Sequence, residues 1–154
     1  MSIKKSQELY LVVHNVRSLF NVGAFFRTGD VFSVNRIYLC GYTGTPPRPE
    51  ISKVALGAEE WVPWEQKKST VTLLKKLKTQ GVKIIALETG DKVKSLAKFK
   101  PTFPLALVVG HEVDGLPKNI LDLADEVVEI PMLGQKESLN VSVAAGIALY
   151  VIRN

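Results

Sequence analysis

Short runs of β-forming apolar residues alternate with segments of helical periodicity along this chain, and that alternation restricts it to an α/β architecture. Leu9–Val13, Arg36–Cys40, Lys83–Leu87, Leu105–Val109 and Val127–Ile130 read as strands. Val22–Phe32, Thr70–Gln80, Pro117–Leu123 and Ser138–Ile152 read as helices, while Ser95–Phe99 is a short segment without a clear period. In Thr70–Gln80, Val71, Leu74 and Leu77 share one face, and Gly81 supplies the stop. Leu105–Val109 is apolar at every position, the pattern of a strand covered on both faces. The expected fold is α/β, with a mainly parallel sheet and helices on both faces. The 154 residues show no repeat, linker or low-complexity tract, so they are expected to form a single domain.

Composition excludes several classes. With 46% hydrophobic and 23% charged residues the chain has the means to bury a core and is not intrinsically disordered. No apolar run approaches the ~20 residues a bilayer span requires, and Leu9–Val13 is too short for a signal peptide. The lone Cys40 lies in an apolar run and reads as core filler in a reducing compartment, so a cytoplasmic location is expected. The net charge of +5 favours a polyanionic partner, but much of it sits in Lys67–Lys78 and Lys92–Lys100, where solvated helix faces account for it equally well.

Two connections stand out. Thr43 to Pro63 reads as a long loop with Pro46, Pro47 and Pro49, and loops of that length are uncommon unless functional. Pro131–Glu137 directly follows a strand, and in open parallel sheets ligands bind beyond the carboxyl ends of the strands. Asn21 and Arg27 after the first strand, Gly110–Glu112 after the Leu105–Val109 strand and Pro131–Asn140 after the last therefore converge on one sheet edge. Neither a Gly-x-Gly-x-x-Gly turn nor a Gly-Lys-Ser/Thr phosphate loop is present, which argues against a Rossmann dehydrogenase or a P-loop enzyme.

Three segments carry a resemblance: Asn21-Val22-Gly23-Ala24-Phe25-Phe26-Arg27-Thr28, Leu107-Val108-Val109-Gly110-His111-Glu112-Val113-Asp114-Gly115-Leu116, and Ile130-Pro131-Met132-Leu133-Gly134-Gln135-Lys136-Glu137-Ser138-Leu139-Asn140-Val141-Ser142-Val143-Ala144. Together, in this order, they resemble the SpoU (TrmH-type) branch of the SPOUT RNA methyltransferases, from about Leu9 to the C-terminus. Ser33 departs from the pattern, since the family often has glycine there. The resemblance implies a C-terminal deep trefoil knot whose loops hold S-adenosyl-L-methionine, and a homodimer paired at the knot. It also implies transfer of a methyl group to a ribose 2′-hydroxyl of tRNA or rRNA, with no metal; from the sequence itself neither a membrane partner nor an appended RNA-binding domain is expected.

Residue by residue, the resemblance places Arg27 beside the reacting hydroxyl, as a base activated by the RNA phosphate. A guanidinium keeps its proton in proteins, so a phosphate clamp that also stabilises the oxyanion is physically easier. Asn21 is read either as a substrate contact or as a helix N-cap, Glu112 as the partner that orients Arg27 or as a turn carboxylate. Ser138 and Asn140 are placed at the catalytic pocket, with Ser138 also the expected cap of the last helix. The donor-binding candidates are Gly110, Ile130 and Leu139, with Leu87 as an additional wall. The small residues of Val141–Tyr150 suit close helix packing, within the core or across a dimer seam. Arg48, Lys53, Trp61 and Trp64 are candidates to stack on and clamp RNA bases. Two other readings are a catalytically inactive RNA-binding dimer of the same fold and, from architecture alone, a small-molecule-binding α/β module.

Overall fold

A computed structural model describes residues 7–91 and 93–154; Lys92, which opens the second lysine-rich stretch, lies outside them. Among the described residues the strands are β1 (Leu9–His14), β2 (Arg36–Cys40), β3 (Trp64–Lys67), β4 (Lys83–Leu87), β5 (Lys94–Ser95), β6 (Leu105–Val109) and β7 (Glu126–Glu129). The helices are α1 (Leu19–Val31), α2 (Pro49–Ala55), α3 (Thr70–Thr79), α4 (Lys118–Leu121) and α5 (Val141–Arg153). The strands form one sheet in the order β3-β2-β1-β6-β4-β7-β5, and every pairing in it is parallel.

Side-chain alternation explains the two covered faces. Leu9, Leu11 and Val13 of β1, with Leu105, Leu107 and Val109 of β6, pack under Phe25 and Phe26 of α1, Ile51 of α2 and Ala148 and Leu149 of α5. The intervening Val12, Ala106 and Val108 face Leu73, Leu74 and Leu77 of α3 and Ile120 of α4. β6 is buried at every position, as its composition requires. Cys40 is buried, and burial pushes its thiol up to about 11, leaving little thiolate at neutral pH.

Several expectations are corrected. Thr43–Pro63 is not a structureless loop: it contains α2 and a 3-10 turn, Ala58–Glu60. Pro49 starts α2, where the missing N–H costs nothing, and Ile51, Ala55, Ala58 and Val62 are buried. Ile51→Ala should therefore cost about 2–5 kcal/mol in a denaturant melt; a change near zero would return the segment to loop status. Trp64 belongs to the edge strand β3, unread in the sequence, and is half-buried, whereas Trp61 is 58% exposed and donates its indole N–H to Asp30 at 2.7 Å. The segment around Ser95–Phe99 resolves into β5 and a 3-10 turn, Leu96–Lys98.

Ser33 explains its own departure: its φ is +55°, a left-handed conformation that glycine adopts without penalty. Its carbonyl is held by the Arg153 guanidinium, which also bonds the carbonyls of Phe32 and Gln7 and so ties α5 to the turn after α1.

Candidate active site

β6 lies between β1 and β4, so the carboxyl ends of these strands and of β7 open onto one space. There Leu87 at the end of β4 and Glu88 just beyond it, Gly110–Glu112 beyond β6, Ile130 beyond β7 and Ser138–Leu139 before α5 line a cavity of about 470 Å3. Of the residues singled out in the sequence, Leu87, Gly110, Glu112, Ile130, Ser138 and Leu139 line it. Asn21, Arg27 and Asn140 stand outside its lining.

The turn after β6 is folded back on itself. His111 and Gly115 form a bridge, and His111 Nδ1 accepts the backbone N–H groups of Val113 at 3.0 Å and Asp114 at 2.9 Å. Glu88 closes the turn from the neighbouring strand, accepting from Leu116 N at 2.8 Å and from Thr89 N at 3.0 Å. Glu88 was missed in the sequence; its signal is a carboxylate one residue past an apolar strand at the ligand-binding edge. Gly110 is required by close approach: a Cβ there would lie 2.7 Å from Leu116 Cδ2 and 2.8 Å from the Gly115 carbonyl oxygen.

Glu112 takes a role different from its expected ion pair. Its Oε1 accepts from Ser18 N at 3.1 Å and its Oε2 from Arg17 N at 3.3 Å, so it caps the start of α1 from the turn after β6. Partial burial would raise its carboxyl, but the backbone hydrogen bonds from Ser18 and Arg17 and the Asn21 side chain outweigh that, and its pKa falls below the usual carboxylate value. Because the folded-state value is depressed, this stabilisation is complete above the ordinary carboxylate pKa and lost as pH falls through the depressed one. Glu112→Gln should accordingly cost about 1 kcal/mol at neutral pH, with the gap to wild type closing on acidification. A gap that stays constant down to strongly acid pH contradicts the charged cap.

Both cap assignments made in the sequence are corrected. Ser18, not Asn21, is the N-cap of α1, its Oγ accepting from Asn21 N at 3.2 Å; Asn21 is a buried residue of the first turn. Asn140, not Ser138, caps α5, accepting from Ser142 N at 2.9 Å and Val143 N at 3.3 Å, while Ser138 is exposed in the preceding loop. The first cap lies three residues earlier than expected and the second two residues later, because a cap is fixed by hydrogen-bond reach and not by the apolar pattern.

Arg27 is exposed in the middle of α1 and forms no ion pair among the described residues. Glu112 grips the start of the same helix, and at ~1.5 Å of rise per residue Arg27 lies roughly 13 Å further along it. The expected Arg27–Glu112 pair is therefore absent within one chain. Around Arg27, α1 and α5 present Ala24, Thr28, Val143, Gly146, Ile147 and Tyr150 to solvent as a shallow apolar groove.

The cavity suits the methyl donor implied by the sequence. Its volume lies in the range of small-molecule sites. Leu87, Ile130 and Leu139 give an apolar wall for an adenine ring, the Gly110 backbone approaches without a side chain, and Glu88, Glu112 and Glu129 offer carboxylates to a sulfonium and an ammonium group. Among the described residues there is no group of three or more His, Cys, Asp or Glu side chains arranged to hold a metal ion, and no helix long and apolar enough to cross a membrane.

Comparison with known proteins agrees with the geometry. The profile of the SpoU rRNA Methylase family matches residues 8–150. Over 148 residues the chain is 34% identical to the tRNA (guanosine(18)-2′-O)-methyltransferase of Aquifex aeolicus, covering 96% of this chain and 69% of that protein. It is 35% identical over 142 residues to the 23S rRNA (guanosine-2′-O-)-methyltransferase RlmB of Vibrio parahaemolyticus, covering 92% of this chain but only 57% of the relative. The crystal structure of an AdoMet-bound rRNA methyltransferase from Sinorhizobium meliloti superposes with a TM-score of 0.88 at 27% identity, covering 96% of this chain and 56% of that one. The chain belongs to the SpoU rRNA Methylase family.

Proposed function

We propose that the protein is an S-adenosylmethionine-dependent RNA 2′-O-methyltransferase acting on tRNA or rRNA. The observation that carries this is the single cavity at the sheet edge into which the second and third motifs both fold. Curated relatives that methylate a guanosine 2′-oxygen in tRNA or 23S rRNA, and a donor-bound structural neighbour, support the same reading. The donor supplies an electrophilic methyl group, and the chain's own residues do the rest. Leu87, Gly110, Ile130 and Leu139 hold and shape the donor; Asn21, Ser138 and Asn140 order the segments around it. Arg27 clamps the phosphate next to the target ribose with its planar fork and so aligns the 2′-oxygen for in-line attack. As that oxygen gains the methyl group its proton becomes strongly acidic and passes to a phosphate oxygen or to water, so Arg27 need not act as a base.

The reading includes a homodimer, a C-terminal trefoil knot and a single domain working in a reducing, cytoplasmic compartment. The knot is supported by the path of the chain, which returns after β7 across the ends of β4 and β6 before α5 packs on α1. The dimer is supported by Val143, Ile147 and Tyr150, at 49%, 39% and 57% exposure, which line one stripe of α5 beside Arg27. A second chain covering this stripe would bring its Arg27 towards the first chain's cavity. Ile147→Glu should give a monomer in light scattering that folds normally and transfers no methyl groups. Labelled donor incubated with total RNA should leave its label in 2′-O-methylnucleosides; no incorporation overturns the enzymatic reading, and RNA binding without donor binding would favour the inactive dimer.

A further inference from the structure

Residues 66–87 hold six lysines and neither an arginine nor an acidic residue, so with a net charge of +5 the rest of the chain is net negative by one. Lys67 closes β3, Lys68 follows it, Lys75, Lys76 and Lys78 lie in α3, and Lys83 opens β4. We propose that the solvent face of α3 is a docking surface for the phosphate backbone of double-stranded RNA, gripping the stem that flanks the methylated nucleotide. The inference rests on the methyltransferase reading and deepens it by assigning the RNA a second contact surface, away from the donor cavity.

The packing of the helix creates this face. Leu73, Leu74 and Leu77 are buried against the sheet, so Thr72, Lys75, Lys76 and Thr79 stand in solvent opposite them, with Lys68 and Lys83 exposed at either end. Lys68, Lys75, Lys76 and Lys83 form no ion pair among the described residues. Lys78 is held by Asp125 at 3.1 Å, and Lys67 meets Glu65 only at 3.9 Å. An ordinary solvated helix offsets its lysines with carboxylates three or four positions away. Around Lys75 and Lys76 those positions hold no carboxylate, and Lys75 has the like charge of Lys78 three residues on. The same chain pairs lysines elsewhere, Lys118 with Asp122 at 2.8 Å and Lys94 with Glu126 at 3.2 Å. A face of one sign, kept against its own repulsion, suits a polyanion.

Position and shape point to duplex phosphates and not to bases. α3 begins at the sheet edge that carries the donor cavity: it follows the carboxyl end of β3, and Thr70 Oγ1 lies 2.7 Å from Nδ1 of His14, the last residue of β1. From there its ten residues run back for about 15 Å along the sheet face opposite α1 and α5. That length spans roughly four base-pair steps of a duplex. The helix carries no aromatic ring on which a base could stack. Such a surface reads charge and not sequence, holding RNA by its backbone while the target nucleotide sits at the sheet edge.

The test compares the triple variant Lys68→Gln Lys75→Gln Lys76→Gln with Lys94→Gln Lys98→Gln Lys100→Gln. The second removes the same charge from the other side of the sheet, where Leu96 and Phe99 join the core under α1 and α5. All six side chains are exposed, so both variants should fold and bind donor as the wild type does in calorimetry. With total RNA from a strain lacking the gene, the first variant should raise KM on the order of 10- to 100-fold at low salt while kcat holds, and flatten the slope of log affinity against log salt by about two to three. The second should keep the wild-type KM and slope. Blunt RNA duplex should compete for RNA binding far better, nucleotide for nucleotide, than uridine homopolymer. Equal losses in the two variants would reduce the effect to net charge, an unchanged salt slope in the first would leave the face to solvent or to an acidic protein, and equal competition by the homopolymer would remove the duplex; each overturns the proposal. Lysine-dependent RNA binding by a wild type that makes no 2′-O-methylnucleoside overturns the methyltransferase reading alone.

Discussion

Arg27→Ala is expected to lower methyl transfer to RNA by about 100- to 1,000-fold, the scale of losing one charged group from a reacting centre, while donor affinity stays as in the wild type. The separation follows from geometry: Arg27 lies outside the lining of the donor cavity, exposed on α1 next to the apolar face of α5. A sharper experiment uses two damaged chains. When Arg27→Ala chains are coexpressed with Gly110→Val chains, each half-damaged dimer has one site carrying both lesions and one carrying neither, provided Arg27 serves its partner's cavity. With random pairing half the dimers are mixed, so about a quarter of wild-type activity should return. If Arg27 serves the cavity of its own chain, every site carries a lesion and nothing returns. The single chain favours the first outcome, because Glu112 is occupied at the far end of α1 and Arg27 has no acidic partner among the described residues.

The parts of this fold legible in the sequence were those fixed by local pattern. β2, β4 and β6 lie where they were read, and the all-apolar run of β6 correctly announced a strand covered on both faces. What escaped depends on contacts distant in sequence. Glu112 looked like a turn carboxylate with a claim on Arg27, yet its hydrogen bonds go to Arg17 and Ser18, which precede it by more than ninety residues. Glu88 was invisible because its partner, Leu116 N, is brought near only by the pairing of β4 with β6. The prolines of Thr43–Pro63 were read as breakers although Pro49 initiates α2, and the segment's core role depends on α1 passing beneath Ile51. That Gly110, Ile130 and Leu139 line one cavity while Arg27 stands outside it has a physical reason. Gly110 and Ile130 directly follow strands, and Leu139 lies just before α5, so local pattern brings them to the cavity edge, whereas an exposed arginine draws its meaning from whatever faces it.

Gly110→Ala is expected to weaken donor binding at least tenfold, the effect of forcing one added methyl group into a closely packed site, with the melting behaviour of the rest of the fold little changed. The added Cβ would meet Leu116 Cδ2 at 2.7 Å and the Gly115 carbonyl oxygen at 2.8 Å, and the second is backbone that cannot rotate away. Relief must come from displacing the turn Gly110–Leu116, but that turn is fixed at several points. Glu88 Oε2 holds Leu116 N at 2.8 Å, and His111 Nδ1 holds Val113 N and Asp114 N. The strain therefore falls on the cavity wall that Gly110, His111 and Glu112 form, and only weakly on the core beneath β6. Glu88→Gln Gly110→Ala separates the two effects: loosening the Glu88 tether lets the turn yield, so the double variant should bind donor better than the product of the single losses predicts. Calorimetric titration of the donor into the four proteins reads this directly. Strictly additive losses would mean that Glu88 and Gly110 do not share the turn as a mechanical unit, and an unaltered affinity in Gly110→Ala alone would move the donor away from this cavity.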